Sequence, residues 1–374
     1  MRIAQVANFY GPRSGGLRTA LHHLGRGYID SGDEVLLIVP GACDDERETA
    51  HGRVLTLHSP VLPVTGGYRV ITRLAAVTDA LAAFSPDVLE VSDRTTLAGL
   101  GPWAREHRVP AAFLAHERVD GVLSTVLRGR IPGVTEMLTD AHSRWIAERF
   151  DTVVATTAYA GAELAGVGAR VETVPLGVDL DRFHPGRASA EVRRRHAPDD
   201  VPLLVMASRL SREKRPELAI EAVRELGRRG RPVRLVVAGT GPLERRIRRA
   251  AAGLPVEMLG FVSDRDRFAS LLASADAVIA PGPIETFGLA ALEALASGTP
   301  TIVNAASALP EVVGSAGIAA DGTPAAFADA IGTMLARDGR ARRVAARERA
   351  VLFPWSASVA RMRAVHARSL AAAR

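Results

Sequence analysis

Short apolar runs alternate with longer amphipathic segments along almost the whole chain, and that alternation points to a parallel α/β fold. Arg2–Phe9 reads as a strand, followed by a glycine loop and a helix over about Leu17–Tyr28. Glu34–Val39 reads as a second strand ended by Pro40-Gly41, and Val54–His58 as a third. Tyr68–Phe84 carries apolar residues at Val70, Ile71, Leu74, Val77 and Leu81, a helical spacing. Asp87–Val91, Ala111–Ala115, Thr152–Thr156 and Val171–Leu176 are further strands with helices between them. Strands that are apolar throughout, joined by helical crossovers, imply a parallel sheet covered on both faces.

A second series follows Phe183-His184-Pro185-Gly186, where the chain up to Asp200 reads as a linker with a short helix. Its strands are Leu203–Ala207, Arg234–Ala238, Val256–Leu259, Ala277–Ala280 and Thr301–Val303. Pro216 opens one helix and Gly230 closes it, and Pro242 opens the next. Further helices lie around Arg265–Ala275 and Phe287–Ser297, and a last one runs from Trp355 to Ala373. At roughly 150 residues per domain the length suits two domains. Two successive doubly wound α/β domains are the simplest solution.

Composition narrows the function. With 47% hydrophobic and 24% charged residues, the chain is neither disordered, collagen-like nor a disulfide scaffold. Cys43, the one cysteine, can form neither an internal disulfide nor a cysteine-based metal cluster, which fits a reducing cytoplasm. The opening residues show no secretory leader, and no run approaches the ~18 apolar residues of a membrane helix. A soluble or membrane-surface protein is expected. The net charge of +6 favours an anionic partner. Nucleic acid fits less well, because aromatics are only 5% and no interleaved stacking pattern appears. Lys214 is the only lysine among 47 basic residues, so arginine runs reflect a chain-wide bias. Arg245–Arg249 and Arg340–Arg349 therefore read as solvated helix faces.

Ligands of open parallel sheets bind at the carboxyl ends of the strands, so polar residues that follow a strand are the candidates. The first loop, Tyr10-Gly11-Pro12-Arg13-Ser14-Gly15-Gly16, joins strand to helix and lacks the G-x-G-x-x-G fingerprint. It reads either as a tight turn or as backbone that approaches an anion at a helix start. In the second series, Arg209 and Lys214 flank the loop after Leu203–Ala207, where two cations suit a diphosphate. Gly239-Thr240-Gly241 follows the next strand, and Gly260-Phe261-Val262-Ser263-Asp264 another. Ser263 or Asp264 serves as a helix cap, or the Val262 backbone lines a base pocket. The most specific segment is Pro281–Glu293. Its prolines and glycine stiffen a loop after a strand, and its helix is expected to start near Phe287 and end at Gly298. The amides of Phe287, Gly288 and Leu289 would then point at an anion. Glu285 and Glu293, eight residues apart, suit a ligand with two polyol rings joined by phosphate.

Glu285 and Glu293 in PIETFGLAALEALASGTP resemble the E-x7-E motif of the retaining GT-B glycosyltransferases, and Arg209 with Lys214 resembles their R-x4-K diphosphate clamp. PLGVDLDRFHP is similar to their interdomain segment. The opening QVANFYGPRSGGLRTAL and His116 are similar to the actinobacterial GDP-mannose-dependent mannosyltransferases that act on phosphatidylinositol mannosides. The resemblance implies two Rossmann-like doubly wound domains facing a central cleft. Residues 1–180 with a returning helix at 355–374 would form the acceptor-side domain, and residues 181–354 the nucleotide-sugar domain.

The resemblance further implies roles. Arg209 and Lys214 would bind the donor diphosphate, Glu285 the hydroxyls of the transferred sugar, and Glu293 the ribose. The amides of Phe287, Gly288 and Leu289 would surround the sugar, and the Val262 backbone would meet the base. Gly15 and Gly16 would lie near the donor phosphate and acceptor, and His116 near the sugar. His116 also reads as a structural strand-end histidine. GDP-mannose is the implied donor, with no tightly bound cofactor and no metal: His22-His23 and Asp44-Asp45 are adjacent pairs in polar surroundings. The implied partners are the nucleotide sugar, an anionic glycolipid and the membrane surface. A cytoplasmic protein, peripheral on the inner face of the plasma membrane, would follow. Gly66-Gly67-Tyr68-Arg69 and Arg73 would meet that surface, or are an ordinary helix start. Uracil in place of guanine, a sugar-nucleotide epimerase of the same fold, and a non-catalytic nucleotide-sugar-binding protein remain as alternatives. An NAD enzyme is disfavoured.

Overall fold

A computed structural model describes residues 1–11, 15–62, 67–116, 118, 133–198 and 201–373. Pro12, Arg13, Ser14, Gly66 and the segment 119–132 lie outside the described residues, as does Asp200 at the end of the expected linker. The chain forms two compact units, Met1–Gly177 with Trp355–Arg374, and Val178–Pro354. Both are Rossmann-like α/β layers.

The first unit is built on β1 (Arg2–Ala7), β2 (Glu34–Gly41), β3 (Asp45–Thr49), β4 (Gly52–His58), β5 (Val88–Ser92), β6 (Ala111–Ala115), β7 (Thr152–Ala155) and β8 (Val171–Thr173). They lie in the order β3-β4-β2-β1-β5-β6-β7-β8. All neighbours are parallel except β3, which pairs antiparallel with β4. The sequence DERET gave no apolar signal for β3: it is an exposed edge strand whose charges face water. The expected helix Tyr68–Phe84 is shorter, Leu74–Phe84. Tyr68–Ile71 instead runs extended, bridging Val61 through Arg69 and donating the Ile71 amide to Asn8 Oδ1 at 2.8 Å. Its apolar residues Val70 and Ile71 are buried all the same, which is why the periodicity overran the helix.

The second unit holds β9 (Leu203–Ala207), β10 (Arg234–Ala238), β11 (Val256–Gly260), β12 (Ala277–Ala280), β13 (Thr301–Asn304) and β14 (Gly317–Ala320), all parallel, in the order β11-β10-β9-β12-β13-β14. β9 and β12 are adjacent, and successive strands run outward from them in opposite directions. That makes their carboxyl ends the switch point, where loops diverge and leave room for a ligand. In the first sheet the same point lies between β1 and β5.

Arg340–Arg349 is not a solvated face. The helix Gly339–Ala350 sends Arg343 to the carbonyls of Ala273 and Ala275, Arg347 to that of Ala296, Arg349 to that of Val312 and Arg342 to those of Met334 and Leu335. These carbonyls belong to the ends of the helices Arg265–Ser274, Leu289–Ala296, Leu309–Val313 and Pro324–Ala336. One helix thus places a cation at four helix C-termini, where unpaired carbonyls and the dipole both favour it.

The helix Trp355–Ala372 packs into the first unit. Its His366 Nε2 lies 2.7 Å from Glu90 Oε1, deep in the sheet. Gln5 Nε2 donates to Glu90 Oε2 at 2.7 Å and the Tyr28 hydroxyl to Oε1 at 2.6 Å. Burial pushes Glu90 upward, but these donors and the His366 charge outweigh it and hold the carboxyl below its usual range.

Candidate active site

At the switch point of the second sheet, the loops after β9 and β12 bring two of the expected site residues into contact. Lys214 closes a turn of 3-10 helix, Arg212–Lys214, and its Nζ donates to Glu285 Oε1 at 2.6 Å. The loop carrying Glu285 is anchored from below. Asn304 Nδ2 donates to the Pro281 carbonyl at 2.9 Å, and the Ala308 amide to the Glu285 carbonyl at 2.9 Å. Gly282 permits the close approach, because a Cβ there would stand 3.0 Å from the Glu213 carbonyl oxygen. Arg209 follows β9 by two residues and is half-buried in the same loop.

The helix after this loop is Leu289–Ala296, two residues shorter at its start than expected. Gly288 caps it at φ 79°, a left-handed conformation, and a Cβ there would meet Leu309 Cδ2 at 2.2 Å. Leu289 keeps its place among the first helical amides; Phe287 and Gly288 do not. The Phe287 side chain is core, edge-on to Phe353 at 6.3 Å. Any ligand contact from Phe287 is left to its backbone.

Glu293 lies one turn inside this helix and is buried. Burial pushes its carboxyl above the usual range, against the opposing charge and hydrogen bond of Arg265. Arg265, the partner of Glu293, is a residue the sequence reading passed over, although it follows β11 and its loop directly. Val262 stands in that same loop, half-buried. The glycine turns interlock: a Cβ on Gly239 would stand 1.9 Å from the Ser208 carbonyl oxygen, and one on Gly241 2.4 Å from that of Leu210.

In the first unit, Gly15 caps and Gly16 opens the helix Gly16–Asp30 after β1. No described atom lies within 4 Å of where a Cβ would stand on either glycine, so packing does not demand glycine there. Open space at a helix start suits a ligand. His116 follows β6, with Nε2 3.3 Å from Ser92 Oγ. Leu114, Val154, Leu176 and Met362 share a void of about 10 Å³ with it. Burial lowers its pKa to about 4, so the imidazole is neutral at pH 7. Beside it, at the end of β5, sit Asp93 and Arg94, two buried residues the sequence reading passed over. Asp93 accepts from the Thr95 and Leu97 amides, and Arg94 pairs with Glu163 at 3.3 Å. Arg69 donates to the Ser59 carbonyl and Arg73 pairs with Asp44, so both cations expected at a membrane already hold protein partners.

No three metal-ligating side chains gather among the described residues. A groove of about 540 Å³ elsewhere in the second unit is lined by Arg340, Arg342, Arg343, Arg347, Asp276 and Glu348. Three of those four arginines are the helix-end partners described above.

Residues 189–351 match the family model for glycosyl transferases group 1, and residues 14–182 that for glycosyltransferase family 4. The GDP-mannose-dependent alpha-(1-6)-phosphatidylinositol dimannoside mannosyltransferase of Mycobacterium tuberculosis is 48% identical over 97% of this chain and 95% of its own. The chain belongs to this glycosyltransferase family. A second relative, the corresponding monomannoside mannosyltransferase of Mycolicibacterium smegmatis, is 29% identical over 90% of each chain. Among solved structures, sucrose-phosphate synthase from Thermosynechococcus elongatus superposes with a TM-score of 0.80 at 22% identity, covering 99% of each chain. Anabaena HepE in complex with UDP-glucose gives 0.75 at 17%, covering 98% of this chain and all of that one. These likenesses establish the GT-B fold. Within this glycosyltransferase, no helix among the described residues is long and apolar enough to cross a membrane.

Proposed function

We propose that the chain is a retaining α-mannosyltransferase that moves mannose from GDP-mannose to a phosphatidylinositol mannoside. The observation that carries this reading is the Lys214–Glu285 pair at the switch point of the second sheet, in a chain 48% identical to an enzyme named for that donor and acceptor. A cation and a carboxylate in contact suit a ligand whose anionic phosphate adjoins a polyol.

In this reading Arg209 and Lys214 bind the diphosphate, and Glu285 accepts hydrogen bonds from mannose hydroxyls. Lys214, which donates to Glu285 in the structure, then also reaches the phosphate. As the sugar–phosphate bond breaks, positive charge develops on the sugar and negative charge on the diphosphate. Arg209, Lys214 and the first amides of the Leu289–Ala296 helix stabilise the latter. Retention follows from front-side attack by the acceptor hydroxyl, with its proton passing to the leaving phosphate. Glu293 accepts from the ribose hydroxyls, the Val262 backbone meets the base, and the backbone at Phe287 and Gly288 adjoins the sugar. Gly15 and Gly16 admit the donor phosphate and the acceptor, and neutral His116 orients the sugar. The glycolipid acceptor places the enzyme peripherally at an anionic membrane surface.

The test is transfer of labelled mannose from GDP-mannose to purified phosphatidylinositol dimannoside, with the product linkage read by NMR. An α-linked trimannosylated lipid is expected. Transfer from UDP-glucose but not from GDP-mannose overturns the donor. Transfer only to water-soluble glycosides overturns the lipid acceptor.

A further inference from the structure

An arginine at the first turn of a helix stands at the positive end of the dipole, the wrong end for a cation. Arg265 opens the helix Arg265–Ser274 in that position. Its guanidinium carbon lies 5.0 Å from the Phe183 ring centre and 5.3 Å from that of Phe268. The two rings meet edge to face at 6.3 Å. Two π faces therefore fix a side chain that the helix itself disfavours. From there Arg265 Nη2 donates to Glu293 Oε1, while Oε2 accepts no hydrogen bond among the described residues.

We propose that Arg265 is a positioning residue for nucleotide binding: held by Phe183 and Phe268, it occupies one oxygen of Glu293 and leaves the other presented to the ribose hydroxyls. The inference rests on the assignment of Glu293 to the ribose. The charged groups facing Glu293 are Arg265, Asp179 and Arg182. Burial and Asp179 press the carboxyl toward protonation, and Arg265 and Arg182 oppose them. Arg182 also pairs with Asp179 and Asp266. Without Arg265, Glu293 takes its proton at higher pH and stops accepting from both hydroxyls.

The experiment measures calorimetric affinities for GDP and for 2′,3′-dideoxy-GDP between pH 6 and pH 8.5, using the full chain and Arg265→Gln. Dideoxy-GDP lacks the groups through which Arg265 acts and cancels titration of the phosphate. Arg265→Gln is expected to weaken GDP about tenfold at pH 6 and much less at pH 8.5. It should leave dideoxy-GDP unchanged throughout. Arg265→Lys keeps the charge without the planar fork and is expected to fall between; it carries the test if Arg265→Gln does not fold. Equal loss for both nucleotides, tighter GDP binding or unchanged GDP binding each overturns the inference while leaving Glu293 at the ribose. A wild-type protein that fails to distinguish GDP from dideoxy-GDP overturns the ribose assignment, and the inference with it.

Discussion

Glu90 in the first unit and Glu293 in the second are both buried, and the two are treated in opposite ways. Glu90, in the middle of β5, meets three donors from three elements, and its carboxyl is held below the usual range. Glu293, one turn into its helix, has Arg265 as its one side-chain donor among the described residues, and its carboxyl is pushed above that range. A buried carboxylate with its oxygens satisfied belongs to the fold; one left short of protein donors has room for those of the proposed ligand. The same contrast separates the two sets of strand-end loops. Those of the second sheet oppose charges across a rigid turn, Lys214 on Glu285. Those of the first offer glycines with open space about them and a neutral histidine.

The sharpest way to break the comparison is Glu90→Ala. Removing one partner of a buried ion pair costs about 3–5 kcal/mol, so urea unfolding should show a loss of that size. A loss below 1 kcal/mol would mean that the network is not what fixes the C-terminal helix. Next come Lys214→Ala and Glu285→Gln, each expected to cut mannose transfer at least tenfold, about 1.4 kcal/mol of transition-state stabilisation, without changing the unfolding midpoint. Near-wild-type turnover in either variant removes that residue from the site. Glu293→Gln should weaken nucleotide binding while leaving stability within about 0.5 kcal/mol or raising it, as expected where function rather than packing chose the residue.

The smallest effect is on pH dependence. Glu90 is depressed in the folded state, so its stabilisation is present above the ordinary carboxylate value of 4.5 and is lost as pH falls below it. Glu293 is raised, so the folded protein binds its proton more tightly, and stability falls as pH rises through the window above 4.5. Stability curves of Glu90→Gln and Glu293→Gln should therefore differ from wild type on opposite sides of that value. Deviations on the same side would contradict the contrast.

Much of this was legible in the sequence. Continuous apolar strands such as Leu203–Ala207 and Ala111–Ala115 announced themselves, because parallel strands are buried on both faces. Placing polar residues after strands singled out Lys214 and Glu285 separately; the structure adds that the two touch. Four things were not legible. β3 has no apolar pattern because it is an exposed edge. The helix after Glu285 begins late because Gly288 turns left-handed against Leu309, a packing fact that local sequence does not encode. The Arg340–Arg349 face looked solvated because an arginine serving a distant carbonyl reads the same as one serving water. Arg265 was missed for the same reason: its partners Phe183 and Glu293 lie far away in sequence.

The most direct test of the central claim is thermal unfolding of wild type and Glu293→Gln with GDP, UDP and ADP in excess. A ligand at 100 times its dissociation constant adds about 2.7 kcal/mol, or several degrees, to the unit that binds it. The account predicts a shift for wild type with GDP alone, and a much smaller one for Glu293→Gln. An equal GDP shift in the two proteins would contradict the claim that Glu293 is the carboxylate held open for a ligand.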